Sequence, residues 1–185
     1  MKNVLLILGI LVSVHTTFGQ SQISKDSLVR EVSQGNNEAI LLIKNDSVLD
    51  AETLEFLKQL ASGQERKKAG SSAYNAHVAL ARLGNENALN EIGEEIRQND
   101  PESFTGMAKV FLVGGKYSLK TFFSLLDDST QIESPAKDIL YYPKNVMAVL
   151  YLSKIIGNPP TKKGVPSNNI NAWKAWFAKH PEVIQ

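Results

Sequence analysis

The chain has 185 residues, of which 43% are hydrophobic and 21% charged, with 20 Lys and Arg against 19 Asp and Glu and no cysteine. This balance excludes a disordered polyelectrolyte, a disulfide-stapled module, a cysteine-ligated metal site, a thiol enzyme and a lipoprotein anchored through an N-terminal cysteine. A net charge of +1 carries no electrostatic footprint for nucleic acid.

The first element is an address. Lys2 precedes an apolar run, Val4 to Val14, broken only by Gly9 and Ser13, and Thr17 and Gly19 are small residues two apart. Residues 1–19 therefore read as a secretory signal peptide cut near Gly19. The run is about half the ~20 apolar residues that span a bilayer. Without Lys2 the mature chain has equal numbers of acids and bases. No second run approaches membrane length, so no membrane span is expected in it. Residues 20–24 read as a flexible leader and 25–185 as a single helical domain.

From residue 25 the expected elements are helices in series. Residues 25–33 form a short one ending at Gly35. Asn36 or Asn37 caps residues 38–44, whose run Ala39-Ile40-Leu41-Leu42-Ile43 fits either a helix or a buried strand. Asp50 caps 51–61, with Leu54, Leu57, Leu60 and Ala61 in one stripe. Residues 64–70 read as a charged linker or an exposed helix turn. Ser71 or Ser72 starts 73–83, with Ala76, Leu80 and Leu83 inward and Gly84 as the stop. Asn85 caps 86–98, with Leu89, Ile92 and Ile96 as its stripe. Asp100-Pro101 opens the next helix, whose apolar set is Phe104, Met107, Ala108, Phe111 and Leu112. Gly114-Gly115 breaks it. Residues 116–126 follow, then a polar loop over 127–137. Pro143 opens 144–156, and a proline-rich loop leads to Asn168 or Asn169, the cap of a last helix to Lys179. There Ile170, Trp173 and Phe177 face inward, Trp176 lies at the surface edge, and the aromatic segment closes the open end of the stack.

A thirty-residue period runs through the middle. Leu80/Val110, Leu83/Val113, Gly84/Gly114 and Leu89/Leu119 keep register. The stretch Ala79-Leu80-Ala81-Arg82-Leu83-Gly84-Asn85-Glu86-Asn87-Ala88-Leu89 resembles the HEAT-repeat family, over roughly residues 71–127. Ser72 to Ala76 lacks the Asp and Arg usual in that hairpin. The resemblance implies an all-α fold, a short right-handed α-α superhelix of three to four stacked helical hairpins, because one hairpin cannot bury both its faces. It also implies protein binding through the second helices. In the best repeat that helix presents Asn87, Asn90, Glu91, Glu94 and Glu95, once Leu89, Ile92 and Ile96 are used by the core.

No motif assembles a catalytic set: there is no GxSxG, no HExxH and no phosphate-binding glycine loop. His77 and His180 share no ligand spacing and read as surface or helix-edge residues, so no metal and no cofactor are expected. Glu91 and Glu95, four apart, could serve an acid–base pair only if His77 joined them within a cleft. Arg66-Lys67-Lys68 is too short for nucleic acid. Ser27, Ser47 and Ser129 each follow an Asp in a pattern resembling the O-glycosylation sequon of exported Bacteroidetes proteins; helix capping is the competing role of these Asp-Ser pairs. The expected function is thus a non-enzymatic exported protein-binding or scaffolding module, periplasmic or secreted, with another envelope protein as partner. An inhibitor or immunity protein that blocks an envelope toxin or hydrolase is the alternative, and a small hydrolase a more distant one.

Overall fold

The computed structural model describes residues 24–98, 101–133, 141–156 and 169–184. The signal-peptide segment, the Asp100 cap and the proline-rich loop lie outside the described residues.

Among the described residues nine α-helices follow one another: α1 (Lys25–Ser33), α2 (Asn37–Leu42), α3 (Ala51–Ala61), α4 (Ser72–Arg82), α5 (Glu86–Arg97), α6 (Pro101–Val113), α7 (Gly115–Ser124), α8 (Lys144–Ile155) and α9 (Ile170–Lys179). Side-chain oxygens start most of them, as the sequence suggests. Asp50 accepts from the Thr53 N–H at 2.7 Å, Ser71 from Tyr74 at 3.0 Å, Asn85 from Ala88 at 3.0 Å and Asn169 from Ala172 at 3.1 Å. Each cap satisfies one of the free N–H groups at a helix start. The same bonds hold the Asp50 carboxyl below its usual range.

Two turns carry the thirty-residue period into three dimensions. Gly84 and Gly114 both sit in the left-handed region, at φ 80° and 77°, where a Cβ would be strained. Leu80 and Val110 are buried, while Leu83, Val113, Leu89 and Leu119 are half-buried.

Two open readings are settled and one stretch differs from expectation. Ala39–Ile43 resolves as helix, but only to Leu42; Ile43 is already extended. Residues 64–67 form one 3-10 turn (Gln64–Lys67). The expected polar loop after Asp127 contains a strand, β1 (Gln131–Glu133), paired antiparallel with β2 (Tyr141–Pro143) so that Ile132 faces Tyr142. Ile132 is fully buried, and β1 packs on α6. One inward side chain on a three-residue strand is too little alternation to read from sequence.

The packing runs in series. α4 touches α2 and α3 on one side and α5 and α6 on the other; α6 touches α7 and α8; α8 touches α9. α5 rests on both α4 and α6, and α7 on both α6 and α8. α4 is therefore central, and every residue from Ala73 to Ala81 is buried. A helix apolar nearly all round has no solvent face to give. Arg82, at its end, staples its neighbours: its guanidinium donates to the carbonyls of Leu41 at 2.8 Å, Ile43 at 3.0 Å and Leu112 at 2.7 and 2.9 Å. Leu41 and Leu112 stand in the last turns of α2 and α6, and Ile43 just beyond α2, where carbonyls run out of helical partners.

Candidate functional site

Three helices bring titratable groups together inside the core. Lys109 of α6 is 0% exposed, His77 of α4 2% and Glu95 of α5 6%. The Lys109 ammonium donates to both Glu95 oxygens, at 2.7 and 2.9 Å, and meets His77 Nδ1 at 3.1 Å. An ammonium has only donors, so Nδ1 is the acceptor and the ring proton sits on Nε2. All three ammonium protons are thereby used. The Tyr74 ring stands 5.3 Å from Lys109 Nζ and covers its remaining side.

His77 Nε2 looks outward, 3.4 Å from Glu91 Oε2, without the alignment of a hydrogen bond among the described residues. The same Glu91 oxygen takes Arg66 Nη1 at 2.7 Å. Arg66 belongs to the 3-10 turn, and its neighbour Lys67 pairs with Glu102 at the start of α6. The turn thus lies over the cluster as a strap, fastened to α5 by Arg66 and to α6 by Lys67. The uncharged His77 ring thus lies between two ion pairs, Glu95 with Lys109 and Glu91 with Arg66.

Burial, followed by the nearby cations Lys109 and Arg66, pushes the His77 imidazole down to about 4. Burial also raises the Glu95 carboxyl and lowers the Lys109 ammonium, and their mutual pairing opposes both shifts. A close approach of α5 and α6 makes the pair possible. A Cβ on Gly106 of α6 would meet Glu95 Cβ at 2.9 Å and the Ile96 backbone N at 3.1 Å. Ser103 of α6 donates to the Ile96 carbonyl at 2.8 Å, fixing the end of α5 against the same helix.

Asn87, Asn90, Glu91 and Glu94 are exposed, as expected. Glu95 is not: its place beside Ile92 and Ile96 turns it under α5, where Lys109 neutralises it. His77 is likewise a core residue rather than a helix-edge one, since α4 is buried on all sides. Glu91 does not merely face solvent but holds Arg66, while Glu94 pairs with Arg97 along its own helix. His77 lies 3.4 Å from Glu91 and 4.0 Å from Glu95, and of the three only Glu91 is exposed.

Ser27 is half-buried in α1, Ser47 accepts from the Lys44 N–H at 2.9 Å, and Ser129 is exposed. Their Asp neighbours cap no helix: Ser24 caps α1, and Asp128 bonds the Thr130 N–H at 2.9 Å. His180 stacks on Trp176, 4.4 Å between ring centres, and its Nδ1 meets the Trp176 carbonyl at 2.8 Å.

Lys109 and Gly106 were not among the residues singled out from the sequence, and Arg66 was read only as part of a short basic run. Lys109 had one usable signal: it is the only charged residue between Glu102 and Lys116, a lone cation on a helix otherwise apolar or small.

A concavity of about 410 Å³ opens where Gly84, Gly114 and Gly115 turn; Lys44, Arg82, Lys116 and Tyr117 line it. Among the described residues no group of three or more His, Cys, Asp or Glu could hold a metal ion, and no helix is long and apolar enough to cross a membrane. No family model, no curated protein and no solved structure matches the chain.

Proposed function

We propose that the chain is an exported, non-enzymatic binding module that offers the outer face of α5 to another protein of the cell envelope. The observation that carries this reading is the anchoring of α5 from beneath. Lys109 grips Glu95 on the inner face, and Asn87, Asn90, Glu91 and Glu94 stand exposed on the outer one. A helix whose rotation is fixed presents its polar groups in one geometry, which lowers the ordering cost of binding. The serial contacts of α4, α6 and α8, with α5 and α7 each bridging two of them, are those that stacked hairpins of a short α-α superhelix would make. The residues used are Asn and Glu, suited to a polar protein surface.

The experiment places a photo-crosslinking amino acid at Asn87, Asn90 or Glu94 and, as control, at Lys58 of α3, in the native host. The reading expects a discrete heavier adduct from the α5 positions and none from Lys58. No adduct at any α5 position, or equal adducts from Lys58, would contradict it.

A further inference from the structure

His77 is protonated at Nε2, because Nδ1 accepts from the Lys109 ammonium at 3.1 Å. A second proton has only Nδ1 to go to. Once it is there, an imidazolium and an ammonium face each other as two donors with no acceptor between them. Among the described residues the charges acting on His77 are Lys109 from α6, Glu91 and Glu95 from α5, and Arg66 from the strap. The two carboxylates would favour the imidazolium, but both are committed. Glu95 gives both oxygens to Lys109, and Glu91 Oε2 is held by Arg66. Lys109 cannot withdraw along its own helix, since the Tyr74 ring covers it at 5.3 Å and Gly106 brings α5 directly alongside.

We propose that this cluster is an acid-released latch: protonation of His77 displaces Lys109 from its third partner and loosens α5 and the Gln64–Lys67 strap from the body of the protein. At neutral pH the uncharged His77 accepts from Lys109, the Glu95–Lys109 and Glu91–Arg66 pairs are made, and α5 is locked. On acidification the strain falls on the α5–α6 contact, which this ion pair and the close packing around Gly106 hold together. The depressed basicity of the buried imidazole means that the latch stays shut at neutral pH and opens as pH falls below the ordinary histidine range. The latch stands on the geometry of this cluster, and the lowered basicity of His77 sets its range. If α5 also carries the binding face proposed above, the same event regulates that face, and the test below does not depend on it.

Hydrogen exchange of the full chain, corrected for intrinsic rates, is compared at pH 7 and pH 4. The latch predicts a tenfold or greater loss of protection in α5 and the strap, with α3 and α8 keeping theirs. His77→Gln keeps a neutral acceptor for Lys109 and removes the imidazole titration, leaving only that of Glu95 within the cluster, so its α5 protection should change with pH several-fold less than that of the wild type. Equal loss in wild type and His77→Gln, or no loss in the wild type, overturns the proposal. Should His77→Gln not fold, titration of the wild type by NMR decides. The His77 ring and the α5 amides should share one midpoint below 6.5. A ring midpoint at or above that value, or α5 amides that do not follow the ring, overturns it.

Discussion

Two regions of this molecule are held together by different physics. Around α4, α5 and α6 the interior contains a cation, a carboxylate and an imidazole, each placed by a specific bond. Around α8 and α9 it is aromatic: Trp173 and Phe177 are fully buried, Phe123 lies 4.7 Å from Phe177, and Tyr151 stacks on Phe122 at 5.0 Å. The aromatic packing gains its free energy from area removed from water, which is non-directional and indifferent to pH, although at its margin the buried Lys144 of α8 lies 3.7 Å from Asp128. The ionic region gains little net free energy, because desolvation offsets attraction. What it gains is register: only one rotation of α5 puts Glu95 on Lys109. The lesson is that the two regions should respond alike to a truncating mutation and differently to pH.

The largest effects should be similar in size and opposite in character. Trp173→Ala should cost about 3–5 kcal/mol by leaving a cavity. Lys109→Met should cost about 3–5 kcal/mol by leaving Glu95 buried without its partner. Urea denaturation at pH 7 and pH 5 separates them. The Trp173 loss should be the same at both values, whereas the Lys109 loss should shrink at pH 5, where the abandoned Glu95 can take a proton.

Next in size is the pH dependence of the wild type. A histidine whose folded value is depressed favours the folded state when neutral, so its contribution is complete above 6.5 and is lost as pH falls from there toward about 4. The full loss is on the order of 3 kcal/mol. Thermal melts across this range should show the slope in the wild type and a shallower one in His77→Gln.

Gly106→Ala sharpens the comparison further. In an exposed helix the change would add about 1 kcal/mol. Here the new Cβ meets Glu95 Cβ at 2.9 Å and the Ile96 backbone, and overpacking should turn the gain into a net loss of about 1–2 kcal/mol. The smallest effect belongs to the solvated face: Glu94→Lys should change stability by less than about 0.5 kcal/mol. Glu91→Lys is a different matter, because it removes the partner of Arg66 and frees the strap.

Most helices were legible because their stripes and caps agree: Asp50, Asn85 and Asn169 start helices whose apolar residues recur every three to four positions. The period linking Gly84 to Gly114 was legible because only a left-handed turn needs glycine there. Trp173 and Phe177 read correctly as inward, since an aromatic on a stripe has one comfortable place. The ionic cluster was not legible as a whole. Its members stand at 77, 95 and 109, on three helices, and a single sequence holds no record of which helix touches which. Half of its signal was nevertheless present: the near-continuous apolar run of α4 left His77 no solvent face, and Lys109 was alone among apolar and small neighbours. Glu95 misled for a simpler reason. It sits where the stripe of α5 meets the polar face, and there the side chain follows its partner instead of the solvent.

The central claim is that the Lys109–Glu95 pair sets the register of α5. A double-mutant cycle at pH 7 with Lys109→Met, Glu95→Leu and the double variant tests it most directly. The account predicts that each single change costs several kcal/mol while the double variant recovers most of the loss, with a coupling of about 2 kcal/mol or more. Single losses that add to within about 0.5 kcal/mol would show that the two side chains do not act on each other, and would contradict it.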